Sequence, residues 1–211
     1  MLPKVYAIVD TGILARRGAD AVKVAEAMVA GGIRLLQFRH KGAYTRDVFA
    51  QAEAIAGLCA EAGTVLVIDD RADIAKLLDA AVHIGQQDLP PAAVRRVVGA
   101  SIIGFSTHNE EQLRAGDEEP VDYLAIGPVF ATGSKENPDP VVGVERVAAM
   151  RAWTAKPVVA IGGITRQTAP LLWRAGVDSV AVISDLLPER LDAASIERRA
   201  AEFVDLAEVM L

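Results

Sequence analysis

The sequence predicts a single-domain α/β protein, a (β/α)8 TIM barrel that spans residues 1–211. Short apolar runs alternate with Ala-rich helical segments along the whole chain, as in a parallel sheet covered by helices. The strand-like runs number eight, which is the count that closes such a barrel. An open doubly wound sheet is the alternative. The first run continues as VDTGILARRG, which lacks the Gly-x-Gly-x-x-Gly spacing of a nucleotide-binding open sheet.

Eight segments are predicted as strands because each is only a few residues long and almost continuously apolar. In chain order they are KVYAIVD, IRLLQFR, TVLVID, AVHIG, SIIGFS, DYLAIG, KPVVAIG and SVAVIS. Strands that are apolar on both faces are covered on both sides, which is what the filled interior and the outer helices of a barrel require.

Helices are predicted between the strands where apolar residues recur at spacings of three and four. The clearest are Ala21 to Ala30, Thr45 to Ala62, Ile74 to Asp79, Val144 to Trp153 and Thr168 to Ala175. Glycine closes several helical segments, as in AGGI, EAGT and RAGVD, which matches its preference for the position just past a helix end.

Composition and charge argue against several classes of protein. The net charge of −6 gives no global reason to expect a nucleic acid or an anionic membrane as partner. No apolar run reaches the roughly 18 residues needed to span a bilayer, and the N-terminus leads into a strand rather than a signal peptide. The single cysteine, Cys59, is expected to be a buried thiol. We therefore expect a cytoplasmic protein; its oligomeric state stays open, and a homo-oligomer is compatible with the sequence.

Three polar residues end the second predicted strand. In such a barrel, the carboxyl ends of the strands form the active-site face. The alternation of LQFRHKG places Gln37, Arg39 and Lys41 on one side. An amide, a guanidinium and an ammonium together form a clamp for an anion such as phosphate. The alternative is a solvated strand end with surface ion pairs, but apolar Leu36 and Phe38 on the opposite face favour the clamp.

Carboxylates follow the third and fourth strands. Asp69 and Asp70 stand where the third strand ends, and Asp88 lies a short loop beyond the fourth. Mg²⁺ is usually held by one or two carboxylates plus substrate phosphates. One of the first two aspartates is expected to cap the helix that begins near Arg71. The combination of these carboxylates with the neighbouring basic clamp predicts a Mg²⁺ site.

The fifth strand ends in GFSTHN, which offers a hydroxyl and an imidazole. Ser106 can donate a hydrogen bond to a ligand, and Asn109 is the expected N-cap of the following helix. No nucleophile stands near His108, so we expect this residue to hydrogen-bond locally rather than act as a general base. His83, within the fourth strand, is expected to be structural.

Two further segments can bind anions. Thr132, Ser134 and Lys135 follow the sixth strand and can surround an oxyanion with two hydroxyls and an ammonium, on a loop able to close over the site. After the seventh strand, Gly162 and Gly163 permit close backbone approach. Barrels often bind a phosphate there and at the start of the last helix. Two phosphate-bearing reactants in one mouth would account for both anion sites.

The segments LQFRHK, IDDRAD, HIGQQDLP, GFSTHN, GPVFATGSK and AIGGIT occur in the order found in thiamine-phosphate synthases, and the chain resembles that family over essentially its whole length. The resemblance implies a transferase that joins 4-amino-2-methyl-5-hydroxymethylpyrimidine pyrophosphate to hydroxyethylthiazole phosphate and releases pyrophosphate. It also implies a largely dissociative route, in which pyrophosphate leaves first and the thiazole nitrogen captures a pyrimidinylmethyl cation. Such a route needs no protein nucleophile.

The resemblance implies a role for each site residue. The pyrimidine pyrophosphate would be bound by Gln37, Arg39, Lys41, Asp69, Ser106 and Lys135, Mg²⁺ by Asp70 and Asp88, and the thiazole phosphate or the product by Thr132, Ser134, Gly163, Ile183 and Ser184. The chain departs from the family pattern at two of these positions. Asp69 stands where the family usually has Asn, so Mg²⁺ or Arg71 must offset an extra carboxylate. Ser134 stands where the family usually has Thr and keeps the hydroxyl.

Two other functions fit the same barrel. A thiazole tautomerase, an isomerase, would need a proton shuttle, for which His108 is the candidate. Isomerisation has no pyrophosphate to neutralise, so Asp70 and Asp88 argue against it. A non-catalytic paralogue that binds a phosphate ligand would keep the anion site and lose turnover. The carboxylates and cations together favour the synthase.

Overall fold

The computed structural model describes residues 2–133 and 139–210. Eight parallel strands, β1 to β8, form a closed barrel in which each strand pairs with the next and β8 pairs with β1. The predicted barrel class is therefore confirmed. Within the described residues, no helix is long and apolar enough to cross a membrane.

All eight predicted strands form, and their ends differ from the predicted ones by at most two residues. In order they are Val5–Asp10, Leu35–Arg39, Val65–Asp69, Ala81–Ile84, Ile103–Thr107, Tyr123–Ile126, Val158–Ile161 and Ser179–Val182. Each strand is followed by at least one helix along the chain, which is the connection that parallel neighbours require.

The described helices surround the barrel. α1 to α9 are Thr11–Arg16, Ala21–Ala30, Arg46–Ala62, Ala72–Leu77, Pro91–Val98, Glu110–Asp117, Val144–Arg151, Ala169–Arg174 and Ala193–Glu208, and a 3₁₀ helix, η1, covers Ser184–Leu186. The short helix α1 was not predicted. It starts directly after β1 because Asp10 caps it, its Oδ1 accepting a hydrogen bond from Ile13 N at 2.8 Å.

A side-chain cap was predicted for each of two helices near the mouth, α4 and α6. Asn109 Oδ1 accepts from Gln112 N at 2.9 Å, which confirms the predicted N-cap of α6. The prediction for α4 is wrong, because Arg71 occupies its N-cap position and no side chain caps the helix. Asp69 and Asp70 are therefore not used as caps of α4.

Alternation along the strands divides the apolar side chains into two clusters. The inner cluster fills the barrel and contains Tyr6, Ile8, Leu35, Val67, Ala81, Tyr123, Ala125, Val159 and Ala181. The larger cluster lies between the strands and the helices. Cys59 belongs to this outer layer, and burial raises the pKa of its thiol to about 11. The thiol therefore stays protonated at neutral pH and packs as a small apolar group.

Gly104 makes room for an aromatic ring inside the barrel. A Cβ at this position would lie 2.0 Å from Tyr123 Cζ and 2.3 Å from the Tyr123 hydroxyl. The two residues are direct neighbours in the register of β5 and β6. Glycine is therefore required here for space, and its absence of a side chain lets Tyr123 reach across the interior.

We expect Gly104→Ala to lower the free energy of unfolding by about 1–3 kcal/mol, because the new methyl group must displace the Tyr123 ring. Urea unfolding measures the change. Gly57→Ala is the matched control, since Gly57 lies on α3 with nothing within 4 Å of a new Cβ. That variant should gain roughly 0.5–1 kcal/mol from helix propensity. Equal stability of the two variants would contradict the packing role of Gly104.

Candidate functional site

The carboxyl ends of the strands bring the predicted site residues to one mouth. Arg39 ends β2, Asp69 ends β3, and Ser106 lies one residue before the end of β5. Because all strands are parallel, these ends open at the same end of the barrel. Ser134 and Lys135 of the loop after β6 lie outside the described residues.

Strand β1 holds the first two members of the predicted clamp. Gln37 is buried, and its Nε2 donates to Tyr6 OH at 2.7 Å. Arg39 Nη1 donates to Asp10 Oδ2, the carboxylate of its neighbour in the register of β1 and β2. The amide and the guanidinium therefore reach the mouth with fixed partners, which restricts their rotamers before any ligand binds.

Lys41 bridges the two carboxylates at the end of β3, Asp69 and Asp70. Its Nζ lies 2.7 Å from Asp69 Oδ2 and 2.5 Å from Asp70 Oδ2. Burial by itself would lower the pKa of Lys41, but the two carboxylates outweigh it and raise the pKa above its ordinary value. The half-exposed ammonium therefore stays charged and can also contact an anion that enters the mouth.

Asp69 is the buried carboxylate of this group, with 5% of its surface exposed. Besides its contact with Lys41, its Oδ2 lies 3.6 Å from Arg39 Nε. Burial raises the pKa of Asp69 to about 6, although the Lys41 ammonium opposes the shift. The extra carboxylate is thus offset in part by cations from β2 and from the residues just after it.

Arg71 does not compensate Asp69 as the sequence suggested. Its Nε donates to Asp73 Oδ1 at 2.8 Å, and its guanidinium lies 4.8 Å from the centre of the Tyr44 ring. Burial raises the pKa of Tyr44 to about 12, with a further contribution from Asp69. Arg71 therefore fixes the wall beside the carboxylates rather than neutralising Asp69.

Asp70 and Asp88 form a pair of neighbouring carboxylates. Asp70 has a φ of 61°, a left-handed conformation that Asp tolerates better than most residues, and its N–H donates to His83 O at 2.8 Å. Asp88 Oδ2 accepts from Gly85 N at 2.7 Å. Burial and the neighbouring Asp70 carboxylate raise the pKa of Asp88. Asp88 is thus close enough to Asp70 for the Asp70 carboxylate to disfavour ionisation of Asp88.

The donor set fits a hard divalent cation that also binds substrate. Within residues 2–133 and 139–210, no group of three or more His, Cys, Asp or Glu side chains is arranged to hold a metal ion. Two adjacent carboxylates, Asp70 and Asp88, suit Mg²⁺, which keeps several waters and takes its other ligands from substrate phosphates. Asp69 faces Lys41 and Arg39 instead.

A chain of buried hydrogen bonds connects Gln37 to Ser106 through the barrel interior. After the bond from Gln37 to Tyr6, the two tyrosine hydroxyls are 3.2 Å apart, His83 Nδ1 is 2.9 Å from Tyr123 OH, and His83 Nε2 is 2.8 Å from Ser106 Oγ. Burial lowers the pKa of His83 to about 4 and raises the pKa of both tyrosines. His83 was expected to be structural only, yet it contacts a residue of the mouth.

His108 makes the local contacts that were predicted for it. The ring Nδ1 is 2.7 Å from Gly127 O and 3.5 Å from Asp139 Oδ2. The backbone N–H of His108 donates to Gln112 Oε1 at 2.8 Å. These bonds tie the end of β5 to the segment after β6. The ring therefore supports the loop rather than facing an evident nucleophile.

The Gly162-Gly163 pair lets the segment after β6 pass against the end of β7. A Cβ on Gly162 would lie 2.6 Å from Pro128 Cα, and one on Gly163 would lie 2.4 Å from Ala131 O. Both glycines have positive φ, 103° and 63°. Phe130 N donates to Gly162 O at 3.0 Å, so the loop that leads to Thr132 is attached to this turn. The backbone that closely approaches Gly162 and Gly163 is thus the segment after β6.

Backbone donors remain available beside the glycines. Within the described residues, the N–H groups of Gly163 and Ile164 make no hydrogen bond. Ile183 and Ser184 stand where β8 leads into η1. The phosphate site predicted near β7 and β8 stays a prediction, for which the N–H groups of Gly163 and Ile164 are candidate donors.

One detail of the predicted phosphate site is wrong. The last helix, α9, begins only at Ala193, well after β8, and Asp192 already caps it, accepting from Ser195 N at 3.0 Å. Only the 3₁₀ helix η1 directly follows β8. The start of α9 is therefore not part of the mouth donors.

Several residues of the site were missed from the sequence. Asp10 shares the inward face of β1 with Tyr6 and Ile8 by simple alternation, so the period-two pattern could have identified it. The same pattern puts His83 and Tyr123 on inward faces. Their mutual contacts join different strands and could not be read from spacing within one segment.

A cavity of about 890 Å³ opens beside Arg39 and Lys41. It lies between α1 and the start of α3. Its lining does not include Asp70, Asp88 or Ser106. The strand ends therefore define the candidate site better than this cavity, which approaches the cations from the side.

Comparison with known proteins identifies one family. A family model described as thiamine monophosphate synthase matches residues 5–186. A thiamine-phosphate synthase of Koribacter versatilis is 46% identical in an alignment of 209 residues that covers 97% of this chain and 96% of that one. One from Chloroflexus aurantiacus is 36% identical in an alignment of 199 residues that covers 93% of this chain and 91% of that one.

Solved structures agree with this result. The thiamine phosphate pyrophosphorylase of Pyrococcus furiosus matches with a TM-score of 0.87 at 30% identity, over 99% of this chain and 97% of that one. The tryptophan synthase α subunit of Legionella pneumophila matches with a TM-score of 0.67 at 14% identity, over 98% and 93% of the two chains, and shares the fold alone.

The raised pKa of Asp69 predicts a dependence of stability on pH. The folded protein holds the Asp69 proton up to a pKa of about 6, whereas the ordinary value is 3.8. Between these values the folded state binds more protons than the unfolded state, so stability falls as pH rises. We expect Asp69→Asn to remove this loss, leaving the variant more stable than the wild type by about 1–3 kcal/mol at pH 7.

Urea unfolding of both proteins at pH 4, 5, 6 and 7 measures this difference. The gap in unfolding free energy should open as the pH rises through the window between the two pKa values. Parallel curves would show that Asp69 ionises in the folded state as it does in the unfolded one, and that its burial has no energetic consequence.

Proposed function

The chain belongs to the thiamine monophosphate synthase family, and we propose that it joins the pyrimidine pyrophosphate to the thiazole phosphate to give thiamine phosphate and pyrophosphate, with Mg²⁺ as cofactor. The bond between the pyrimidinylmethyl carbon and a pyrophosphate oxygen breaks. The bond between that carbon and the thiazole nitrogen forms. Both substrates carry phosphate groups, and the mouth has two groups of hydrogen-bond donors and cations that can bind such anions.

The observation that carries the proposal is the arrangement of charges at the ends of β1 to β4. Among the described residues there, Asp10, Asp69 and Asp70 form ion pairs with Arg39 and Lys41, and Asp88 lies beside Asp70. When all are ionised, the group has an excess of two negative charges. A pyrophosphate enters such a group favourably only together with a cation, which supports binding as a Mg²⁺–pyrophosphate complex.

Asp70 and Asp88 are the proposed Mg²⁺ ligands from the protein. Mg²⁺ bound there would neutralise part of the charge on the pyrophosphate. Asp70 is held by its backbone bond to His83 O, and Asp88 by its bond from Gly85 N, so both carboxylates are positioned by the ends of β3 and β4. Positioned ligands reduce the reorganisation that metal binding would otherwise require.

Arg39 and Lys41 stabilise the leaving group in this proposal. As the carbon–oxygen bond breaks, negative charge builds on the pyrophosphate, and the two cations interact more strongly with the departing anion than with the substrate. Lys41 can move from its carboxylate partners to the anion because its side chain is 49% exposed. Lys135 is proposed to join them from the loop after β6, outside the described residues.

The thiazole half is proposed to bind on the side of β7 and β8. The N–H groups of Gly163 and Ile164 supply donors to its phosphate, with Ile183 and Ser184 at the end of β8. Thr132 and Ser134 extend this site from the loop after β6. Donors without formal charge suit a phosphate that must stay bound while the other phosphate group leaves.

The two alternative functions receive no support. The comparisons name a synthase rather than an isomerase, and His108 is engaged with Gly127 O, so it lacks the freedom of a proton shuttle. A cytoplasmic location remains part of the proposal, because phosphorylated substrates that carry two or more negative charges do not cross a bilayer unaided. A homo-oligomer remains an expectation from the sequence.

The proposed function is tested by a coupled assay of pyrophosphate release with purified protein, both phosphorylated substrates and Mg²⁺. We expect release only when the thiazole phosphate is present, with thiamine phosphate formed in equal amount. Folded protein that releases no pyrophosphate, or releases it without the thiazole partner, would overturn the transferase assignment.

Asp88→Ala should reduce turnover by about 100-fold or more, because the Mg²⁺–pyrophosphate complex loses one of its two protein carboxylates. Turnover is measured over a range of Mg²⁺ concentrations. Asp205→Ala, the same change at an exposed position on α9, is the control and should behave as the wild type. Wild-type rates in Asp88→Ala at low Mg²⁺ would exclude Asp88 as a ligand.

Asp69→Asn should leave kcat/KM unchanged or raise it, because the variant removes a carboxylate beside the pyrophosphate and releases Lys41 from one partner. The same substitution at the adjacent proposed ligand, Asp70→Asn, should lower kcat/KM by about 100-fold. Steady-state kinetics at pH 7.5 compare the two. A large loss in Asp69→Asn would mean that this chain uses Asp69 itself as a ligand.

A further inference from the structure

We propose that His83 is a positioning residue, which holds the Ser106 hydroxyl so that its proton is directed into the mouth as a donor to the pyrimidine substrate. The inference rests on the proposed function. It starts from the chain of hydrogen bonds that connects Gln37 to Ser106 inside the barrel.

The donors and acceptors give this chain one direction. Gln37 Nε2 can only donate, so the Tyr6 oxygen accepts from it, and the proton of Tyr6 has the Tyr123 oxygen as its acceptor at 3.2 Å. The Tyr123 proton is then directed to His83 Nδ1 at 2.9 Å. Because Nδ1 accepts, the neutral ring carries its proton on Nε2 and donates it to Ser106 Oγ at 2.8 Å.

This direction decides what Ser106 can offer a ligand. Its oxygen accepts on the side of His83, so its own proton is free to donate toward the mouth. Ring nitrogens of a pyrimidine are acceptors and match such a donor. With the opposite tautomer, Ser106 would donate to His83 and present only lone pairs to the same nitrogens, which repel them.

The surroundings of His83 hold the ring in one orientation. His83 is 7% exposed, and its ring stacks on Tyr123 with centroids 5.6 Å apart and planes 25° apart. Gly104 separates the two residues in the register of β4, β5 and β6, and its missing side chain leaves room for this contact. The backbone oxygen of His83 also accepts from Asp70 N at 2.8 Å.

A purely structural interior would not need these groups. Buried polar groups are costly unless each finds a partner, and an apolar interior of the same volume avoids that cost. Here the polar groups form one continuous series that ends at two residues of the mouth, Gln37 and Ser106. The series therefore connects the buried His83 to residues that can contact a ligand, and an isolated buried histidine would have no such connection.

Substitutions test whether His83 acts through Ser106. We expect His83→Phe to raise the KM for the pyrimidine pyrophosphate roughly 10-fold, which corresponds to one lost hydrogen bond, and to leave the KM for the thiazole phosphate unchanged. His83→Gln keeps an amide donor near the position of Nε2 and should restore most of the affinity. A merely structural residue would change both KM values, and Gln would then rescue no better than Phe.

A double-mutant cycle with Ser106→Ala separates direct from indirect action. If His83 acts through Ser106, the variant with both His83→Phe and Ser106→Ala should bind the pyrimidine pyrophosphate no more weakly than Ser106→Ala alone. Additive losses would overturn the proposal. If His83→Phe does not fold, Tyr123→Phe replaces it in the cycle, since that change removes only the hydroxyl that directs the His83 tautomer.

Nitrogen-15 NMR of the wild-type protein tests the direction of the chain without any substrate. The chain has three histidines, His40, His83 and His108, so the His83 ring can be assigned by its absence in His83→Gln. We expect the Nε2–H tautomer in the wild type. The Nδ1–H tautomer would overturn the inference even if turnover is normal. The expected tautomer in a protein without turnover would locate the failure in the proposed function instead, and binding of the pyrimidine pyrophosphate would then complete the cycle.

Discussion

Closing eight parallel strands into one barrel forces the inward side chains of every strand to share a single small interior. The remaining features of the molecule follow from this constraint. Tyr123 reaches into this space beside Tyr6 only because Gly104 has no side chain there. Any polar group that enters must find its partner across the barrel, since water does not reach it. His83 satisfies this condition by joining Tyr123 to Ser106. The side chains that fill the interior therefore also fix the position of a polar residue at the mouth, Ser106.

In the part of the chain that the structure describes, the mouth of the barrel contains more carboxylates than cations that pair with them. Carboxylates from the ends of several strands are crowded within reach of few cations, and each is kept in place by a backbone or side-chain donor. Burial raises the pKa of Asp69 to about 6, and burial with the neighbouring Asp70 raises that of Asp88. The ionised form of each of these two carboxylates is stabilised when a positive charge binds nearby. These charges suit a cation and an anion that bind together better than either one alone.

This preparation connects the fold to the proposed chemistry. In a dissociative transfer, the protein has to stabilise a departing anion and hold two substrates close together, and it forms no covalent bond to either. In the proposed reaction, Arg39, Lys41 and the carboxylates at the ends of β3 and β4 would face one substrate. The backbone donors after β7 and β8 would face the other. Because all strands end at one mouth, residues that are far apart in the chain can bind the two substrates on opposite sides of that mouth.

The sequence by itself determined the barrel, its eight strands, most of its helices, and the positions of Arg39, Asp70 and Ser106 at strand ends, because periodicity and chain order are local properties. It did not reveal the capped helix α1, the role of Asp10, or the partners of Arg71 and His83. Those depend on contacts between strands that are neighbours only once the barrel has closed, and on the burial that sets each pKa. Spacing within a segment shows which face a side chain takes; only the tertiary structure decides what it meets there.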